Sequence, residues 1–122
     1  MFEITIRKSF AAAHQLRDIG GKCEDLHGHN FTVEVSAGGE KLNDEGLLLD
    51  FRQLKKWTNE LLEELDHKYL NELPFFKDIN PSSEIIARFM FERLSEKTKT
   101  LNTPITRVTV WESEDARVSY SL

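Results

Sequence analysis

The sequence predicts an α+β domain in the order strand, strand, helix, helix, strand, strand, with a four-stranded antiparallel sheet and two helices on one face. Three features carry that expectation. Apolar residues recur with period two near both ends of the chain, two stretches in the middle show helical spacing behind capping residues, and no linker or repeat divides the sequence. At 122 residues the chain has the length of one domain, so residues 1–122 are read as a single unit with one core.

Phe2, Ile4 and Ile6 alternate ahead of Phe10-Ala11-Ala12-Ala13, which predicts a first strand over residues 2–14 with one face buried. The second strand centres on Phe31-Thr32-Val33-Glu34-Val35 and ends at Gly38-Gly39, with His27-Gly28-His29 opening it. Residues 15–26 between them form a polar loop of a length more often functional than idle. Asp50 caps the first helix with Gln53 reaching back, and Phe51, Leu54, Thr58, Leu61, Leu62 and Leu65 follow at helical spacing to an end near Asp66. The second helix starts around Asn80-Pro81-Ser82-Ser83-Glu84. Pro81 is expected in its first turn, the cap comes from a hydroxyl or Asn80, and Ile85, Ile86, Phe89, Met90 and Leu94 form the apolar face. Ile105–Glu112 and Ala116–Tyr120 supply the last two strands, joined by a turn at Ser113, Glu114 and Asp115.

Composition narrows the function. With 16 Lys+Arg against 21 Asp+Glu and a net charge of -5, the chain lacks the cationic excess that grips nucleic acid nonspecifically, although a local basic pocket is still allowed. No run approaches the roughly 20 apolar residues that cross a bilayer, and Met1-Phe2-Glu3 reads as the start of a strand rather than a leader. A single cysteine, Cys23, cannot form an internal disulfide and points to a reducing compartment, the cytoplasm.

The histidines are the most informative residues. His27 and His29, two apart on a strand, point to one face. His14 ends the first strand, so antiparallel pairing across residues 15–26 brings three imidazoles together. Three histidines with an open fourth position are the signature of a catalytic zinc site; Fe(II) or another divalent ion can use the same nitrogens. Taken alone, each histidine is an ordinary hydrogen-bonded or exposed residue.

Three further groups carry alternatives. Cys23 is a small buried hydrophobe, a fourth metal ligand, or an acid/base or nucleophilic thiol. Polar neighbours Lys22, Glu24 and Asp25 favour the last, because a nearby cation promotes the thiolate. Asp66-His67 is either a helix-terminal histidine favoured by the macrodipole beside a solvated carboxylate, or a carboxylate-oriented general base. Glu112 continues the face of Val108 and Val110, where an unpaired buried charge is costly. It is either solvated just past the sheet edge or paired with a ligand that offers aligned N–H donors.

These residues resemble the 6-pyruvoyltetrahydropterin synthase and 6-carboxytetrahydropterin synthase family over nearly the whole chain. The resemblance runs through Phe10-Ala-Ala-Ala-His14, Cys23-Glu-Asp-Leu-His27-Gly-His29-Asn-Phe31, Gly46-Leu-Leu-Leu-Asp50-Phe51, Leu65-Asp66-His67-Lys-Tyr-Leu-Asn71, Asn80-Pro-Ser-Ser-Glu84 and Trp111-Glu112. It implies that His14, His27 and His29 bind Zn2+, that Cys23, Asp66 and His67 transfer protons, that Glu112 anchors a pterin ring, and that Ser82 and Ser83 place hydroxyls against that ring. It also implies the tunnelling fold, in which subunits join their sheets into a barrel as a trimer or a dimer of trimers. Active sites then lie at subunit interfaces, with Cys23 and the Asp66-His67 pair drawn from different chains. Open sheet edges are association surfaces that closure of a barrel removes, which agrees with this assembly.

Within the family, the short Cys-x-x-x-His-Gly-His spacing is similar to that of the bacterial 6-carboxytetrahydropterin synthases of queuosine biosynthesis. These convert 7,8-dihydroneopterin triphosphate to 6-carboxy-5,6,7,8-tetrahydropterin with release of acetaldehyde and triphosphate. The pyruvoyl-forming enzymes carry a longer spacing. Glu24, directly after the cysteine, resembles relatives that cleave dihydroneopterin to 6-hydroxymethyldihydropterin for folate synthesis. Lys22, Arg7, Lys8 and Arg17 are the cations available to a triphosphate. A noncatalytic pterin-binding module and a structural zinc protein are the rival classes, the latter normally closed by four protein ligands.

Overall fold

The computed structural model describes residues 1–17 and 25–122. Strands β1 (Phe2–His14), β2 (His27–Gly39), β3 (Lys68–Tyr69), β4 (Ile105–Ser113) and β5 (Ala116–Tyr120) form one sheet in the order β3-β1-β2-β4-β5, with helices α1 (Phe51–Leu62) and α2 (Ser83–Thr98) packed on it. The expected four-stranded antiparallel sheet is therefore a five-stranded mixed one. β3 runs parallel to β1 through Ala12–Lys68 and Ala13–Tyr69. Two residues are too short to show period-two spacing, so the sequence offered no strand there.

Pairing between β1 and β2 is antiparallel and unbroken from Phe2–Gly39 to His14–His27. Alternation then sorts the side chains: Ile6, Phe10 and Ala12 of β1 and Phe31, Val33, Val35 and Ala37 of β2 are buried on the face that the helices cover. Val108 and Val110 of β4 continue that face through the pairs Val35–Val108 and Val33–Val110. The other face is polar. Hydroxyls pair across strands at Thr5–Ser36 (2.8 Å) and Thr109–Ser119 (2.7 Å), and the Trp111 indole N–H donates to Glu34 at 2.8 Å. One covered and one polar face is the usual arrangement for antiparallel pairs.

The Asp50 carboxylate caps α1 by accepting the Arg52 N–H at 2.8 Å and also pairs with the Arg52 guanidinium at 2.7 Å; the cap thus engages Arg52 rather than the expected Gln53. Leu54, Thr58, Leu61 and Leu62 face the core, and the Thr58 hydroxyl is satisfied by the Leu54 carbonyl at 2.8 Å. The helix ends at Leu62, short of the expected Asp66. Leu65 kept the apolar spacing going because it is fully buried, although it sits in the turn that follows the helix. α2 is capped by Ser82, whose hydroxyl accepts the Ile85 N–H at 3.2 Å, so Pro81 precedes the cap instead of entering the first turn. Its core residues are Ile86, Ala87, Met90, Phe91 and Leu94, while Ile85 and Phe89 are only partly buried at the rim.

Phe31 joins the core to the end of the sheet where the histidines lie. It is fully buried, stacks on Phe10 with ring centroids 5.0 Å apart, and meets His14 and His29 edge-on at 5.5 and 5.4 Å. Phe31→Ala is expected to lower unfolding stability by about 3–5 kcal/mol, the range for a buried phenylalanine that leaves a cavity. Urea denaturation measures this, and a loss below about 1 kcal/mol would contradict the role given to Phe31.

Candidate metal centre and active site

The β1–β2 pairing places His14 directly opposite His27, and His29 opposite Ala12, all on the core face at the open end of the sheet. Three imidazoles follow on from the apolar rows, with ring centroids 4.5, 5.3 and 4.7 Å apart. β4 adds a carboxylate from the other side. Val108, Val110 and Glu112 alternate onto the same face, and Glu112 Oε1 lies 3.5 Å from His14 Nε2, 3.9 Å from His27 Nε2 and 2.8 Å from His29 Nε2. One ligand atom from each of the four residues falls within 4.8 Å of every other.

The protonation pattern suits a metal. His14 Nδ1 lies 2.8 Å from the Pro81 carbonyl and His27 Nδ1 lies 2.6 Å from the Asp25 carbonyl. A carbonyl oxygen only accepts, so both Nδ1 atoms carry the proton and both Nε2 atoms present lone pairs to the common point. His14 Nε2 and His29 Nε2 are buried without a hydrogen-bond partner; the 2.8 Å approach of His29 to Glu112 lacks hydrogen-bond geometry. Buried acceptors left unmet cost about 1–3 kcal/mol each, a debt that a divalent cation at this point removes. Burial is the main cause of a lowered pKa at His29; Glu112 opposes it, and His14 and His27 reinforce it. Burial thus favours the neutral ring, the form that a ligand needs.

Asp66 and His67 stand at the other edge of β1, just ahead of β3. The Asp66 carboxylate accepts the Ala11 N–H at 2.9 Å and lies 3.1 Å from His67 Nδ1, while the His67 N–H donates to the Ala11 carbonyl at 2.6 Å. Bonding to the Ala11 N–H is the main reason that the Asp66 carboxyl titrates below its usual range, with the His67 charge assisting. His67 has φ of 59°, a left-handed conformation that costs a non-glycine residue about 1–3 kcal/mol and is held by these ties to Ala11. Neither residue joins the three-histidine cluster. Yet His29 and His67 both line one open cleft of about 500 Å³, whose walls include Ala11, Ala13, Gly28 and Tyr69.

Of the two serines, Ser82 is engaged as the helix cap, while the Ser83 hydroxyl donates to Glu112 Oε2 at 3.4 Å. Arg7 lies over the Trp111 ring at 6.0 Å, and Arg17 donates to the Ile79 carbonyl at 3.4 Å. Cys23, Lys22 and Glu24 lie outside the described residues. The backbone carbonyls of Pro81 and Asp25, which set two of the imidazole tautomers, were not expected. A main-chain oxygen has no residue type to announce it.

The fold and site define a mixed-sheet α+β enzyme domain with a three-histidine, one-carboxylate centre. The family model for 6-pyruvoyl tetrahydropterin synthase matches residues 3–122. A 6-carboxy-5,6,7,8-tetrahydropterin synthase of Synechocystis is 40% identical over 93 residues, covering 72% of this chain and 70% of that protein. A dihydroneopterin monophosphate aldolase of Pyrococcus furiosus is 36% identical over 112 residues, covering 92% and 90%. The structure of Caenorhabditis elegans 6-pyruvoyl tetrahydropterin synthase superposes with a TM-score of 0.82 at 30% identity, covering 100% of this chain and 97% of that one. The chain belongs to the 6-pyruvoyl tetrahydropterin synthase family and is an enzyme, a lyase resembling the 6-carboxytetrahydropterin synthases.

His14→Ala is expected to abolish tight binding of a divalent metal at this site, whereas His67→Ala leaves it within about twofold of the parent. Competition with a chromophoric chelator measures both. Metal retention should fall as pH is lowered, because protons compete for the same nitrogens.

Proposed function

We propose that this enzyme converts 7,8-dihydroneopterin triphosphate to 6-carboxy-5,6,7,8-tetrahydropterin, releasing acetaldehyde and triphosphate, as a zinc-dependent step of queuosine biosynthesis in the cytoplasm. The observation that carries the proposal is the convergence of three imidazole Nε2 atoms on one point beside a cleft that also holds His67. Resemblance to the Synechocystis synthase supports the choice of product.

His14, His27 and His29 would hold the zinc ion, which would supply Lewis-acid stabilisation of charge on substrate oxygens with no change of redox state. The Asp66 carboxylate orients His67 through Nδ1, which leaves Nε2 to take or return a proton on the pterin side chain. Cys23 is proposed as the second proton-transfer group. Glu112 is proposed to receive the N–H donors of the pterin ring, with Ser83 holding its other oxygen. Arg7, Lys8 and Arg17 are the described cations proposed for the phosphates.

Edges support a multichain site. β5 is the strand at one edge of the sheet, paired only with β4 among the described residues, and β3 covers β1 only at Ala12 and Ala13, so the outer edges of β5 and of β1 before Ala11 are available for strands from other copies. We propose one domain per chain, assembled as a trimer or a dimer of trimers with the site shared between subunits; the particle mass in solution reads this directly. Among the described residues, no helix is long and apolar enough to cross a membrane.

A second reading has an observation of its own. Glu24 follows Cys23, and the Pyrococcus furiosus relative is an aldolase, which supports cleavage of dihydroneopterin or its phosphate to 6-hydroxymethyldihydropterin. Incubating the zinc-loaded enzyme with 7,8-dihydroneopterin triphosphate and identifying the pterin product decides between them. 6-Carboxytetrahydropterin with acetaldehyde supports the synthase, 6-hydroxymethyldihydropterin the aldolase, and a pyruvoyl product overturns both.

Glu112→Gln is expected to raise KM about tenfold or more with zinc affinity preserved, since the neutral amide cannot pair with several N–H donors as a carboxylate does. Steady-state kinetics together with chelator competition test this. A parallel loss of zinc would make Glu112 a metal ligand instead.

A further inference from the structure

We propose that Asn71 and Asn80 are positioning residues of the metal centre, their side-chain amides standing in for a missing strand and holding the exit of β1 so that His14 faces the common point. β3 pairs with β1 only at Ala12 and Ala13. Beyond it, the Gln15 N–H donates to Asn71 Oδ1 and Asn71 Nδ2 donates to the Gln15 carbonyl, both at 2.8 Å. Two residues further on, the Arg17 N–H donates to Asn80 Oδ1 at 2.8 Å and Asn80 Nδ2 donates to the Arg17 carbonyl at 2.9 Å.

The pattern is that of a sheet edge. On an extended chain, residues i and i+2 present N–H and C=O to the same side, and a carboxamide offers the same acceptor and donor as a peptide unit. Each asparagine thus replaces one rung. Neither amide can be flipped, because reversal would set NH2 against N–H and oxygen against oxygen. The ladder also extends in the other direction, where the Asp66 carboxylate and the His67 N–H take both polar groups of Ala11. One segment, residues 66–80, therefore grips β1 at residues 11 to 13 and the chain leaving it at residues 15 and 17.

What makes this positioning rather than general stabilisation is the neighbour of Asn80. The Pro81 carbonyl accepts the His14 Nδ1–H at 2.8 Å, so adjacent residues hold the main chain at Arg17 and the imidazole at His14. Gln15 follows His14 directly. Releasing either rung frees the backbone that aims the ring. Outer-sphere contacts of this kind typically change metal affinity about 10–100-fold.

The inference rests on His14 being a metal ligand, and the test separates the two. Zinc affinity is measured by chelator competition for Asn71→Ala, Asn80→Ala and a core-destabilised control, Leu62→Ala, with amide hydrogen exchange followed at Gln15 and Arg17. The expected result is faster exchange at Gln15 in Asn71→Ala and at Arg17 in Asn80→Ala. Zinc affinity should fall about tenfold or more in Asn80→Ala and by a smaller factor in Asn71→Ala, with the control unchanged. Should an alanine variant fail to fold, Asn71→Asp or Asn80→Asp, which keeps the acceptor and loses the donor, is read in the same way. Zinc affinity within about twofold of the parent in both variants, or an equal loss in the control, overturns the proposal. A parent that binds no zinc overturns the metal centre instead, while exchange at Gln15 and Arg17 still reports on the clamp.

Discussion

Pairing of β1 with β2 in a single register decides where every side chain of the site can be. Because side chains alternate, a slip of one residue would send His27 and His29 to the polar face and separate them from His14. The long apolar rows resist such a slip: Ile6, Phe10 and Ala12 on one strand and Phe31, Val33, Val35 and Ala37 on the other are all buried under the helices. The same burial that stabilises the sheet therefore aims the imidazoles. The site is the continuation of the core face beyond the point where the helices stop covering it.

Electrostatics and packing are linked at that boundary. His14 is fully buried, and its Nε2 and that of His29 lack hydrogen-bond partners, which is costly for neutral acceptors and costlier for imidazolium ions. Protonating the cluster would place like charges on rings whose centroids are about 5 Å apart, a repulsion that a single carboxylate, Glu112, only partly offsets. A divalent cation held at this point would meet the converging Nε2 lone pairs at once. Metal binding at this point would accordingly be coupled to folding, with protons as the competitor.

Side-chain patterns with a period were legible in the sequence. The alternation in β1 and β2 and the one-residue gap in His27-Gly28-His29 were enough to bring three histidines together, and Asp50 and the serines before α2 marked both helix starts. Features without a period were not legible. β3 has two residues, the left-handed turn at His67 falls on a non-glycine residue, and Leu65 mimics a helical position from within a turn. Ser82 and Ser83 look alike in sequence, yet one caps α2 and the other reaches Glu112; which does which depends on where the helix begins, to a single residue. Glu112 is an intermediate case. Its face was predictable from Val108 and Val110, but its approach to the histidines depends on the β2–β4 register.

The alanine run illustrates how one stretch serves both faces. Ala12 alternates into the core among Phe10, Phe31 and the helices, where a small side chain leaves room beside His14 and His29. Ala11 and Ala13 alternate outward and, with Gly28, line the cleft that His29 and His67 share. A larger residue at either outward position would fill part of that cleft, and a larger one at Ala12 would crowd the packing beside His14 and His29. Ala11 carries a further load through its backbone, since its N–H and C=O hold Asp66 and His67 in the strained turn. Small side chains therefore keep the cleft open while main-chain bonds at the same residues fix Asp66 and His67 beside it. The distance between the metal centre and His67 is set by strand geometry, without any direct contact between them.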